Sequence, residues 1–293
     1  MFALPANTVA VDAPSSFERL EPLPKTAVEL LHAISPSGSA GIDLEGVLAD
    51  QPQLVTEVLR VSEESGAGDA WPEILRLLDQ TAVARLAKSA ITLLVRDYLR
   101  RALRVSEDYR YWRYMVACAL CCEEVAVAIG QNTLLAYAAG LLHDTGRLAL
   151  IAAYPIQYSN LLTLTDRKFA ANEPFDILEY ERLLFGLDHF GTGAWVAGAW
   201  RLPAWLCSTV GKFDEHASGE HAELVATVRA GTRLAHSLGF GYLAAAPRAD
   251  IRTILADLPE AEKQWNASDS WEYTRNNMRA KIRSRMERYW HEE

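Results

Sequence analysis

The sequence predicts an all-α protein, and three observations carry that prediction. Apolar residues recur three and four positions apart through most of the chain from Lys25 onward, the spacing of one helix face. The periodic segments are punctuated by start and stop residues such as Asn132, Gly130 and Pro155, placed where helices begin and end. No segment alternates apolar and polar residues with the period of two that a half-buried strand needs.

Taken in order, residues 1–20 are rich in Pro, Ala and Ser and read as a loosely ordered lead-in. Residues 42–50 and 52–64 follow as two helices, Pro52 fitting a first turn. Trp71-Pro72 opens another, and Thr81 is expected to cap a long segment through Leu103 that breaks once. After Ser106, the residues Tyr111, Met115, Cys118, Cys122, Val125 and Ile129 form one stripe at steps of four and three, the face of an amphipathic helix. Gly130 ends that helix and Asn132 caps the next, which is apolar on several faces up to His143. A further apolar helix runs from Gly146 to Tyr154, where Pro155 stops it. Helices are then predicted over residues 174–185, 188–200, 203–212 and 219–238, with a connector and short helix over 246–257. Residues 270–293 are rich in Arg, Trp and Tyr. They fit either a terminal helix with apolar anchors on the body and charges in water, or a basic docking face for an acidic partner or nucleic acid. The organisation expected is a lead-in over 1–20, a helical domain over 21–240 and a C-terminal helical extension over 241–293.

The chain has 293 residues, half of them hydrophobic, and a formal net charge of -9. That length supports a sizeable core, and that charge argues against a broad nucleic-acid-binding surface. The four cysteines, Cys118, Cys121, Cys122 and Cys207, lack the spacing of a disulfide framework and imply a reducing cytoplasm. The N-terminus has neither the basic start nor the apolar core of a signal peptide, and no apolar run is long enough for a membrane span. Mid-helix placement makes Cys118, Cys121 and Cys122 small core residues rather than zinc ligands. Gly191, Gly193 and Gly198 lack phosphate-loop spacing and read as residues permitting close helix packing. Trp71, Trp112, Trp195, Trp200 and Trp205 read chiefly as core, with a partner-anchoring role as the alternative.

The chemistry concentrates at His143 and Asp144, an adjacent pair at the end of an apolar helical run. Imidazole and carboxylate both ligate divalent metals, and two ionisable groups in such a setting need partners. The pair could hold a metal or a small ligand, or it could form a structural polar cluster. In the last reading the imidazole donates to a carboxylate or backbone carbonyl. Asp144 then caps the following helix, and Arg147 pairs with Asp144 or another nearby acid. Asp188 reads as an N-cap ahead of a half-buried His189.

The run AYAAGLLHDTGRLALIAAYP resembles the centre of an HDOD domain, a bacterial signalling module related to the HD-type phosphohydrolases. The resemblance continues through ERLLFGLDHFGTGAWVAGAWRLPAWL and GEHAELVATVRAGTRLAHSLG, and upstream through LPKTAVELLHAI and GIDLEGVLADQPQLVTEVLRVSEES. It implies a compact all-α fold and an output or regulatory role in signalling. The related enzymes hold one or two metals with an upstream histidine, the His-Asp pair and a later aspartate. Here the pair is kept as His143 and Asp144, and His189 matches a histidine common at its place. Tyr114 stands where the upstream histidine would fall, and Thr232 where the late aspartate would fall. Arg147 replaces the lysine of the common HDxGK string, the GYP signature is absent, and His216 is out of register. Two of four primary ligand positions are therefore lost. His143, Asp144 and His189 remain as a weak or vestigial metal set, for which iron, manganese or zinc would be the candidates. The expectation is a non-catalytic regulator that binds a signalling protein partner, with no resident cofactor. The alternatives are a metal-dependent phosphohydrolase acting on a nucleotide or cyclic dinucleotide, and a regulator that binds such a nucleotide without cleaving it.

Overall fold

Helix Asp108–Ile129 lies at the centre of the computed structural model and organises the rest. The structure describes residues 20–34, 80–103, 108–211, 221–243, 249–258 and 271–289, with residues 17, 44, 46, 54–56 and 58. In chain order the helices are α1 (Lys25–Ala33), α2 (Gln80–Ala102), α3 (Asp108–Ile129), α4 (Thr133–Leu142), α5 (Thr145–Ala153) and α6 (Pro155–Ala170). There follow α7 (Ile177–Phe185), α8 (His189–Ala199), α9 (Ala204–Val210), α10 (Ala222–Ser237), α11 (Ile251–Ile254) and α12 (Trp271–Glu287). Among the described residues there is no strand, as the sequence predicts. No described helix is long and apolar enough to cross a membrane.

The stripe on α3 behaves as expected. Tyr111, Met115, Cys118, Cys122 and Val125 are fully buried, and Ile129 is half-buried near the helix end. Gly130 follows in the left-handed region (φ 70°), and Asn132 caps α4 by accepting from the Leu135 amide at 3.1 Å. α4 is buried along its length, which explains why its sequence is apolar on several faces. It packs chiefly on α3, while α10 covers another side of α3 and α8 packs on α5. Cys122 wedges into the crossing of these helices. A Cβ on Gly140 would lie 2.6 Å from its sulfur, and one on Gly231 would lie 2.8 Å from its Cα. Only glycine on α4 and α10 lets the three backbones approach this closely.

Several expectations meet the structure here, some changed and some kept. α2 is one unbroken helix, with Thr81 inside it rather than ahead of it. Pro155 does not merely stop α5; it occupies the first turn of α6, a helix the sequence reading lacks, since proline at that position loses no helical hydrogen bond. Gly193 does permit close packing, because a Cβ there would lie 2.5 Å from the Val210 carbonyl oxygen. Gly198, by contrast, faces open space and Gly191 has only ordinary contacts. Trp112, Trp200 and Trp205 are buried and Trp195 packs on the core, in keeping with the expectation that the tryptophans are chiefly core. The helices predicted over 42–50 and 52–64 lie largely outside the described residues, and Trp71-Pro72 and His216 lie wholly outside them.

The C-terminal helix is docked. Ile282, Met286 and Tyr289 are buried. Lys281 binds Glu124 at 2.7 Å, and Arg285 bridges Glu124, at 2.8 Å, and Glu123 on α3. Lys88 on α2 meets the same Glu123 at 2.9 Å. Burying each apolar anchor is worth roughly 1.5–3 kcal/mol, against roughly 0–1 kcal/mol for each part-exposed ion pair. The apolar contacts therefore hold α12, and the charges set its register.

Candidate functional site

His143 and Asp144 occupy the break between α4 and α5, His143 closing one helix and Asp144 preceding the other. The break turns two ionisable side chains into the interior, where both are buried. Close approach of α5 and α8 brings His189 to the same place. A Cβ on Gly146 would overlap the His189 carbonyl oxygen and the Gly193 backbone, so only glycine fits at that contact.

His143 Nδ1 lies 2.8 Å from the Gly140 carbonyl oxygen, and Nε2 lies 3.0 Å from the Tyr114 hydroxyl. A carbonyl only accepts, so Nδ1 carries the proton and Nε2 presents its lone pair. The Tyr114 hydroxyl donates into that lone pair. Burial lowers the His143 pKa, with Asp144 opposing the shift, which keeps the ring neutral. Burial pushes the Tyr114 hydroxyl well up, so it remains a donor. Tyr114 also stacks on His236 of α10 at 5.7 Å between ring centroids.

Arg147 takes the centre of the cluster. Its Nε donates to Asp144 Oδ2 at 2.6 Å, Nη1 to the Tyr158 hydroxyl at 3.0 Å, and Nη2 contacts His189 Nε2 at 3.0 Å. A guanidinium has no lone pair to offer, so His189 Nε2 accepts and Nδ1 carries the proton. That Nδ1–H donates to Glu181 Oε2 at 2.5 Å, and the His189 amide donates to the same oxygen at 2.9 Å. Tyr158 donates to Glu181 Oε1 at 2.6 Å. Burial alone would raise the Glu181 pKa; the His189 hydrogen bond and the Arg147 charge outweigh it and hold the carboxyl at about 2. Arg147 stays cationic, since Asp144, Tyr158 and Glu181 more than offset its burial.

The expected residues are thus partly reunited. His143, Asp144, His189 and Tyr114 meet. Thr232 does not join them; its hydroxyl bonds to the Arg229 carbonyl within its own helix at 2.9 Å, and His236, one turn on, faces the cluster instead. Asp144 does not cap α5 with its side chain, because Arg147 claims the carboxylate. Asp188 does cap α8, accepting from the Gly191 amide at 2.8 Å, and His189 is buried rather than half-buried. Glu181 and Tyr158 escape the sequence reading. Glu181 carries a legible signal, since it falls at four-residue steps between Ile177 and Phe185 on the buried stripe of α7. Tyr158 sits on the helix that reading lacks.

A metal at this point would need about three protein ligands. The His143 lone pair is taken by Tyr114, that of His189 by Arg147, and one Asp144 oxygen by Arg147. Asp144 Oδ1 is the remaining oxygen of the set, buried and without a hydrogen-bond partner among the described residues. Among those residues, no group of three His, Cys, Asp or Glu side chains is arranged to hold a metal ion. The residues present do not fit one.

The HDOD domain family matches residues 20–215. An uncharacterised protein of Treponema pallidum (strain Nichols) is 27% identical over 215 residues, 70% of this chain, and the match spans 40% of that relative's length. A crystal structure of an HDOD domain protein of unknown function from Geobacter sulfurreducens superposes with a TM-score of 0.66 at 20% identity, covering 90% of this chain and 91% of that one. A proposed signal-transduction protein of Marinobacter aquaeolei VT8 superposes with a TM-score of 0.59 at 20% identity, covering 93% and 64%. A proposed phosphohydrolase of Shewanella amazonensis SB2B gives 0.56 at 20% identity, covering 85% and 96%. At this identity the likenesses establish the fold. The match of the family over two thirds of the sequence, with the His-Asp pair seated between α4 and α5, places this chain in the HDOD domain family.

Proposed function

We propose that this protein is a bacterial signalling module whose ancestral metal site has become a structural polar core, and that it acts by binding another protein. One observation carries the reading: Arg147 sits among Asp144, His189 and Glu181 as a fixed cation. It supplies the positive charge that a metal would supply, but offers no open coordination position and cannot activate a water. Tyr114 completes the exclusion by donating to His143. Membership of the HDOD family and the likeness to a proposed signal-transduction protein support the signalling role. Ile156 on α6 and Leu183 and Leu184 on α7 are exposed, offering apolar surface for a protein partner.

The test is metal analysis of protein purified without chelator. The expected result is iron, manganese and zinc each well below one equivalent, unchanged in His143→Ala. Stoichiometric metal that disappears in that variant would overturn the proposal in favour of a phosphohydrolase.

A further inference from the structure

Phe17, the first described residue, is fully buried. Its ring meets Tyr154 edge-on at 6.0 Å between centroids and Trp195 of α8 at 5.7 Å. Tyr154 in turn stacks on Phe185 at 4.9 Å. These contacts fix the point from which residues 1–16 lead away. Ile156 stands two residues from Tyr154, and Leu184 and Leu183 stand one and two residues from Phe185. They are 71%, 51% and 79% exposed respectively. Residues two apart in a chain lie within about 8 Å of one another, so all three flank the place where Phe17 is anchored.

We propose that residues 2–11 dock over Ile156, Leu183 and Leu184, so that the chain's own N-terminal segment occupies this apolar surface. Residues 1–16 carry Phe2, Leu4, Val9 and Val11 against one charged side chain, Asp12. Segments that stay in water are poorer in large apolar residues and richer in charge. Val9 and Val11 are two apart, as are Phe2 and Leu4, and in an extended chain such residues share a side. Pro5 and Pro14 suit an extended chain, which asks no helical hydrogen bond of them. Val9 lies eight residues upstream of Phe17. Eight residues span roughly 15 Å as a coil and about 27 Å when extended, enough to cross one or two helices. The tether makes the contact intramolecular, at an effective concentration on the order of millimolar, so a few apolar side chains suffice. A second copy lacks that advantage, and a net charge of -9 opposes self-association. A partner using this surface must first displace the segment. That consequence rests on the partner surface proposed above; the docking itself does not.

Photo-cross-linking tests the docking. p-Benzoylphenylalanine takes the place of Leu183, and separately of Ile156, in the full chain, which is mixed with an isotope-labelled copy and irradiated. Both positions are exposed, so neither replacement disturbs the core. Mass spectrometry should place the cross-links within residues 1–16 of the same chain, with a yield independent of protein concentration. Val9→Asp combined with Val11→Asp should cut that yield roughly tenfold, because a charge laid on the apolar surface must be desolvated. A yield unchanged in the double variant would reduce the contact to tethering and overturn the docking. Cross-links between labelled and unlabelled copies would overturn it in favour of a second copy. Cross-links confined to other segments, or none, would leave the surface open to another protein and overturn it equally. Metal at the polar core enters none of these readouts, so the docking can fail while the proposed function stands.

Discussion

At the scale of single residues, Arg147 decides the character of the buried cluster. Removing it takes from the buried Asp144 its ion-pair partner and from Glu181 one of the groups that stabilise its charge, the bonds from His189 and Tyr158 remaining. Breaking one side of such a buried network costs roughly 3–5 kcal/mol, so Arg147→Met should lower the urea midpoint by a corresponding amount. Arg147→Lys should recover only part of this, because an ammonium cannot reach Asp144, Tyr158 and His189 from one plane. Glu181 sets the acid response. Its folded pKa of about 2 lies below the ordinary value of 4.5. The stability it contributes is therefore full above about 4.5 and is lost as pH falls toward 2, on the order of 3 kcal/mol in all. Urea titrations across that window should show this loss in the native protein and its near absence in Glu181→Gln, which starts less stable at pH 7. Of this cluster, the His-Asp pair, His189 and the Tyr114 replacement were legible in the sequence, because motif order and helical register fix them. The pairing of Arg147 with both acids was open, since the partner from α7 is fixed only by how α5, α6 and α8 stack.

At the scale of elements, glycine positions separate crossings from free faces. Gly146→Ala and Gly193→Ala would each push a methyl group into neighbouring backbone, and overpacking of this kind costs roughly 1–3 kcal/mol or more. Gly198→Ala meets open space on a helical, exposed position and should stabilise by roughly 0.5–1 kcal/mol. Thermal melts of the three variants should therefore move in opposite directions. Most helices could be read from sequence, because α3 and α10 carry apolar stripes and α4 is an apolar run capped by Asn132. α6 could not, because Pro155 signals a stop as strongly as a start, and only the chain's immediate reversal into a new helix tells the two apart. That Thr232 stays outside the cluster while His236, one turn on, faces it depends on how α10 crosses α3, which the sequence alone does not display.

At the scale of the molecule, α12 behaves as part of the body. Its apolar anchors outweigh its ion pairs, so Ile282→Ala should cost roughly 2–4 kcal/mol, whereas raising salt to about 1 M should change stability far less. Denaturation followed in low and high salt distinguishes an apolar dock from an electrostatic one. The wedge of Cys122 between Gly140 and Gly231 has a consequence for how that cooperativity can be watched. Cys118, Cys121 and Cys122 are buried while Cys207 is only half-buried, and burial pushes the thiols of all three well up. A thiol reagent can reach Cys122 only after α3, α4 and α10 separate. The four cysteines thus form a natural set of clocks: Cys207 should label through small local openings, and the three on α3 only at the rate at which the whole core comes apart.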